Sequence, residues 1–241
     1  MNYQNNCIYS SRLSPSKAAD QYALWIDQLL TSFTDPERIE WQPTENYLQW
    51  NALFVTFTFD KRKICRRQSA LNDSSGAIGW KSGNNIDLYN KDDLSAEFFN
   101  IDRLYKKVCR AVLGRNYSKH REEQPLLIAA ADVNGTRYWK SAGQIQNLHV
   151  HSIWVFKKGQ IEKARDKLEQ VKASEREDEF DFDQVHIADV GRFEEQGHPS
   201  TVSSYTAKFL GFNAINPRIG IDLAIYPIHR MTGPNAVPVQ L

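Results

Sequence analysis

Two histidines stand one residue apart in the run Leu148-His149-Val150-His151-Ser152-Ile153-Trp154-Val155-Phe156, whose apolar and β-branched composition is that of a strand. Side chains alternate between the faces of a strand, so His149 and His151 point the same way, about 6.6 to 7 Å apart, a span that one metal ion bridges. The pair also reads as two half-buried, hydrogen-bonded sheet residues. Further along, Ser203-Ser204-Tyr205-Thr206-Ala207-Lys208-Phe209-Leu210 has helical character, and Tyr205 and Lys208, three apart, share one helix face. A phenol hydroxyl beside an ammonium is a nucleophile beside a charge that offsets an anion. A tyrosine at such a position also serves simply to pack a helix on a sheet.

Taken in order, an apolar strand at Leu53-Phe54-Val55-Thr56-Phe57-Thr58-Phe59, a His-hydrophobic-His strand and a helix with Tyr-x-x-Lys resemble the HUH endonucleases, the replication initiators and relaxases that nick single-stranded DNA. The likeness covers about residues 47 to 212, and its weight lies in the ordered triple, because each motif alone recurs by chance. The resemblance implies a ferredoxin/RRM-like HUH nuclease fold and site-specific nicking and joining of single-stranded DNA through a 5′-phosphotyrosine on Tyr205, assisted by Lys208. Ser203 and Ser204 supply no second tyrosine, so the likeness is to the single-tyrosine, rolling-circle initiators of plasmids, phages and other mobile elements. HUH transposases and relaxases share that chemistry.

The resemblance also implies a divalent cofactor, Mn²⁺ or Mg²⁺, held by His149, His151 and a third polar ligand. Family members often draw this ligand from the strand paired with the His strand, which points to Asp132. Gln144 and Gln146 are alternatives, and Asp132 also reads as a turn-initiating residue before Asn134-Gly135. A cation meets a physical need. The phosphodiester is anionic and a phenol of pKa near 10 is a poor nucleophile at neutral pH, so charge developing on the non-bridging oxygens must be neutralised.

The remaining elements must position these residues. Ser14-Pro15 opens a helix as N-cap and first helical residue, Tyr22, Trp25, Ile26, Leu29, Leu30 and Phe33 follow at helical spacing, and Asp35-Pro36 closes it. Tyr47 to Asp60 reads as one long strand in the middle of the sheet. Residues 61 to 93 read as a long loop. Asp92 or Asp93 caps a helix whose stripe is Phe98, Ile101, Tyr105, Val108 and Val112 and which Gly114 ends. Leu126 to Val133 and Gln146 to Phe156 form an antiparallel hairpin, with its turn at or beyond Asn134-Gly135. A helix to Ala173 on Ile161, Ala164, Leu168 and Val171, a strand from Gln184 to Val190, the Tyr205 helix, and a further strand within Ile219 to Ile228 complete the order. The expected class is α+β, a central antiparallel sheet with helices mainly on one side. It forms a single domain with an N-terminal helix at about 14 to 34 and a C-terminal extension from about 213 to 241.

The chain of 241 residues is 41% hydrophobic and 24% charged, ordinary globular composition. Its net charge of +1 is low for a nucleic-acid binder, but the charge is polarised. Lys61, Arg62, Lys63, Arg66 and Arg67 lie within seven residues and form the expected DNA-binding cluster, whereas acids concentrate between Glu175 and Asp183. Cys7, Cys65 and Cys109 are odd in number and widely spaced, so no disulfide framework or zinc ribbon is indicated. With no secretory pattern at the N-terminus and no membrane-length apolar run, a cytoplasmic location is expected. No Gly-x-x-x-x-Gly-Lys-Ser/Thr occurs, so an initiator of this kind requires a separate helicase and polymerase beside its single-stranded DNA, an origin hairpin or nick site. A contrasting expectation is a non-catalytic, RRM-like nucleic-acid-binding module, which requires exposed aromatics on the central strands. His120, His186, His198 and His229 read as surface or structural, with His186 able to approach the sheet face.

Overall fold

The alternation of Leu53, Val55 and Phe57 with Phe54, Thr56 and Thr58 builds β1 (Ala52–Phe59), in which the first three are fully buried. The computed structural model describes residues 15–37, 44–60, 62–64, 95–133, 148–173, 179–191, 199–208, 210 and 223–227. β1 is an internal strand, antiparallel to β3 (Leu148–Val155) on one side and to β4 (Phe182–Asp189) on the other. β2 (Leu126–Val133) pairs antiparallel with β3 as the expected hairpin, and its other edge takes β5 (Leu223–Tyr226). The order β4-β1-β3-β2-β5 places β3, the His strand, at the centre, with β1 beside it.

Between β1 and β2 runs α3 (Ser95–Leu113), and between β3 and β4 runs α4 (Ile161–Lys172). The succession β1-α3-β2-β3-α4-β4 with spatial order 4-1-3-2 is the split βαβ, ferredoxin-like arrangement, extended here by β5 at the β2 edge. One face of the sheet is covered by α3 and α4. Phe98, Ile101, Leu104, Tyr105 and Val108 of α3, with Ala164 and Leu168 of α4, pack on Leu53, Val55, Phe57, Val150 and Trp154. Each large apolar side chain buried there contributes about 1.5 to 3 kcal/mol. Gly114, at φ +82°, ends α3 in the left-handed conformation that only glycine adopts without strain.

Helices occupy the second face as well, so they divide between the two sides more evenly than the sequence suggests. There α1 (Pro15–Thr34) and α2 (Thr44–Asn51) join α5 (Thr201–Ala207). Trp25, Ile26, Leu29, Leu30 and Phe33 of α1 share an apolar cluster with Leu48, Ile128, Ile153, Ala207 and Ile225. The helical stripe of α1 and its closing turn at Asp35–Glu37 match the sequence reading.

The long strand expected from Tyr47 is a correction. Residues 47–51 form the end of α2, and the strand begins only at Ala52. Tertiary hydrogen bonds decide the matter: Tyr47 Oη donates to the Phe156 carbonyl at 2.9 Å, and Phe156 N donates to the Asn51 carbonyl at 2.8 Å. Asn51 Nδ2 donates back to the Tyr47 carbonyl at 3.0 Å, closing the last turn. These interactions override the β preference of the aromatic residues. Among the described residues no helix is long and apolar enough to cross a membrane.

Candidate functional site

The sheet register assembles the polar residues of the second face. His149 stands between Thr58 on β1 and Asp132 on β2, and His151 between Thr56 and Ala130. Side chains directly opposite across antiparallel strands project to one face, so Asp132, His149, His151, Thr56 and Thr58 share it. Asp132 Oδ2 lies 3.5 Å from His149 Nε2 and 3.3 Å from His151 Nε2. All three side chains are buried, and one ligand atom from each falls within 4.8 Å of the others. Ligands at right angles around an ion with bonds near 2.1 Å sit about 3 Å apart, so the Asp132 oxygen already stands close to that distance from each imidazole nitrogen.

The protonation states suit a cation. Burial alone raises the Asp132 carboxyl, but His149, His151 and Lys208 outweigh burial and hold it well below the usual carboxylate range. Burial lowers the His151 imidazole, and the nearby His149 and Lys208 lower it further against the pull of Asp132, so the neutral ring is favoured. His151 Nδ1 is 3.0 Å from Thr56 Oγ1. A neutral ring with its proton on Nδ1 donates to that hydroxyl and leaves a lone pair on Nε2. His151 Nε2 is itself buried and, despite its proximity to Asp132, makes no hydrogen bond among the described residues. With its proton on Nε2 instead, the ring faces Asp132 as a donor and Nδ1 accepts from Thr56, so a cation bound beside Asp132 would select the first tautomer. Asp132, His149 and His151 therefore form a site that can hold a metal ion, with two nitrogen donors and one oxygen donor.

The helix with Tyr205 is brought to this site from both ends. At its start Ser200 is the N-cap, its hydroxyl accepting from Ser203 N at 3.3 Å. At its end Lys208 Nζ donates to Asp132 Oδ2 at 2.9 Å, the same oxygen that faces both histidines. Between these anchors the Tyr205 ring lies 4.6 Å from the His151 ring and 5.9 Å, edge to face, from Phe54, centroid to centroid. Lys208 Nζ stands 5.5 Å from the centroid of the Tyr205 ring. Tyr205 remains 48% exposed, enough for a large substrate to reach it while His151 stays buried beneath.

Five expected site residues, Asp132, His149, His151, Tyr205 and Lys208, thus converge. The basic cluster is only partly visible. Lys61, Arg66 and Arg67 lie outside the described residues, as do Gln144, Gln146, His198 and His229. Arg62 is exposed and Lys63 half-buried on a short helical turn capped by Asp60, whose Oδ1 accepts from Arg62 N at 2.8 Å. This turn follows the Thr58 end of β1, the end nearest His149 and Asp132. His120 is an exposed partner of Glu123. His186 is exposed on β4, opposite Thr56, and so in the same cross-strand row as His151.

Thr56 and Phe54 are site residues that the sequence alone does not single out. Thr56 fixes the ring of His151, and Phe54 stacks on that ring at 5.6 Å while bracing Tyr205. Their alternation with Leu53, Val55 and Phe57 is visible in the sequence, but it does not reveal that their face is the one bearing the histidines. Searches of protein-family models, curated proteins and solved structures found no match to the chain.

Proposed function

We propose that the chain is a metal-dependent, single-tyrosine endonuclease and strand transferase that nicks and rejoins single-stranded DNA. One observation carries the reading. His149, His151 and the sequence-distant Lys208 meet at a single carboxylate oxygen of Asp132, and the Tyr205 ring lies against His151 beside them. Packing alone requires no such convergence, whereas phosphoryl transfer is served by a nucleophile and cationic groups gathered around one phosphate.

Asp132, His149 and His151 would hold the ion, and the Thr56 hydroxyl can accept from His151 Nδ1 in the tautomer that leaves Nε2 free for it. Bound there, Mn²⁺ or Mg²⁺ supplies Lewis-acid neutralisation of the scissile phosphate. The Tyr205 hydroxyl loses its proton and forms a bond to phosphorus. The bond from phosphorus to the 3′ oxygen breaks, and that oxygen leaves as a hydroxyl after taking up a proton, so the 5′ phosphate stays on the tyrosine. Lys208, tethered to Asp132 in this structure, is within reach of a phosphate carried on Tyr205 and offsets its charge. Phe54 limits the swing of the Tyr205 ring. Reversal with a new 3′ hydroxyl rejoins the strand.

This activity suits a replication initiator of a plasmid, phage or other mobile element, with DNA unwinding and synthesis supplied by other proteins. A transposase or relaxase would use the same residues and differ in the DNA it recognises. The RRM-like module has less support. Its stacking platform needs exposed strand aromatics, and the exposed large apolar residues, Leu24, Trp50, Phe99 and Tyr205, all lie on helices among the described residues. The test is incubation with end-labelled single-stranded DNA and Mn²⁺, with and without chelator. A protein–DNA adduct that survives denaturing electrophoresis and requires the ion is expected. Binding without any adduct, over a range of origin-like hairpins, would favour the module.

A further inference from the structure

We propose that Asp27, on the N-terminal helix, is the positioning residue for the nucleophile helix, an inference that rests on Tyr205 being the attacking group. α5 spans only seven residues, Thr201–Ala207, too few to be stable unaided, so its place is set by what holds its ends. One end is tied to the candidate metal centre through Lys208 and Asp132. The other is held by Asp27 in a two-point clasp. Asp27 Oδ2 accepts from Ser200 N at 2.7 Å and Asp27 Oδ1 accepts from Ser200 Oγ at 2.5 Å. That hydroxyl in turn accepts from Ser203 N. Ser200 is fully buried and Asp27 half-buried, so water reaches the clasp only from the Asp27 side.

The chemistry of the clasp suits a carboxylate best. Ser200 presents two donors, and the two oxygens of Asp27 accept one each; an amide has a single acceptor oxygen and would turn an N–H₂ group toward the other. The frame behind Asp27 is firm. Its neighbours Trp25 and Ile26, together with Leu29 and Leu30, are buried in the cluster that includes Ala207 and Leu210 on the far side of Tyr205. Ser200 precedes Tyr205 by about 7.5 Å of helix, so a shift at the clasp reaches the hydroxyl with little attenuation. In-line attack slows by about two orders of magnitude for a misplacement near 1 Å. On this account the N-terminal helix is part of the catalytic apparatus, although none of its residues touches the reacting atoms.

The experiment compares Asp27→Ala, Ser200→Ala, their double variant and Asp27→Asn in single-turnover adduct formation on labelled single-stranded DNA with Mn²⁺. Each alanine variant should slow the covalent step about 10- to 100-fold while DNA and Mn²⁺ affinities stay within about 2-fold of wild type. Because both residues act through one hydrogen-bonded clasp, the double variant should be no slower than the slower single variant. Asp27→Asn, which keeps the shape and one acceptor, should fall between wild type and Asp27→Ala, and it serves if the alanine variant does not fold. Amide hydrogen exchange over residues 201–207 should quicken in step with the slower chemistry. Wild-type rate and wild-type protection in Asp27→Asn, or rate effects that multiply in the double variant, would overturn the proposal. If wild type itself forms no adduct, the reading of Tyr205 fails. The exchange data still report on the clasp, with faster exchange supporting it and unchanged protection overturning it.

Discussion

Replacing Lys208 with methionine, which keeps the stem and removes the charge, should destabilise the protein in a way that metal repairs. Lys208 Nζ is 2.9 Å from Asp132 Oδ2, with Lys208 27% exposed and Asp132 only 1%. Removing one partner of a buried ion pair costs about 3 to 5 kcal/mol because the other charge is left uncompensated. Partial exposure of the lysine reduces this to about 2 to 3 kcal/mol. For a chain of this length that corresponds to a fall in Tm of about 4 to 12 °C. Mn²⁺ at about one hundred times its Kd stabilises a folded protein by about 2.7 kcal/mol. The variant should gain more than wild type, since an ion that meets Asp132 there has no ammonium to contend with. Differential scanning calorimetry of both proteins in EDTA and in saturating Mn²⁺ reads the effect, with the gap in Tm narrowing to less than about half in Mn²⁺. Equal Tm values in EDTA, or a gap that Mn²⁺ leaves unchanged, would refute the reasoning that one carboxylate oxygen serves both cations.

Acid should weaken the fold in two stages. His151 titrates below its unfolded value near 6.5, so from there downward the unfolded chain binds more protons and stability falls; Asp132, held low, adds a second decline as pH drops below about 4. Urea titrations between pH 7.5 and 3 should show both stages in metal-free wild type and only the lower one in His151→Gln. Replacing Arg62, Arg66 and Arg67 with alanine should make the plot of log affinity against log salt shallower by about 0.7 for each phosphate that an arginine no longer neutralises, read by fluorescence anisotropy on single-stranded DNA. An unchanged slope would make the cluster a solvated surface. Thr56→Val should lower Mn²⁺ affinity by about 10-fold in calorimetric titration, by freeing the His151 ring, with little change in fold.

The parts of this structure legible in the sequence are those written in local periodicity. His149 and His151 announce a strand with both rings on one face, Ile161 to Val171 a helix, and Leu126 to Val133 the partner of the His strand. Asp132 can be placed because a hairpin is a local structure: opposite residues follow once the pairing is known, and the register sets it across from His149. Interactions between elements far apart in the chain are not legible. Tyr47 to Asn51 carries strand-like residues yet turns as a helix, because its hydrogen bonds run to Phe156. Nothing around Asp27 signals Ser200, since the two meet only when α1 lies against α5. Thr56 and Phe54 likewise show their polarity and spacing but not their neighbours.

Locating the covalent bond tests most directly whether Tyr205 is the nucleophile. Wild-type protein treated with single-stranded DNA and Mn²⁺ is digested, and the nucleotide-bearing peptide is sequenced by mass spectrometry alongside Tyr205→Phe. The substitution removes one oxygen and keeps the ring that packs on His151 and Phe54, so fold, DNA binding and Mn²⁺ binding should persist. The nucleotide is expected on Tyr205 through its 5′ phosphate, with no adduct from the phenylalanine variant. An adduct on Tyr117, Tyr138 or any other residue, or one that survives in Tyr205→Phe, would contradict that assignment.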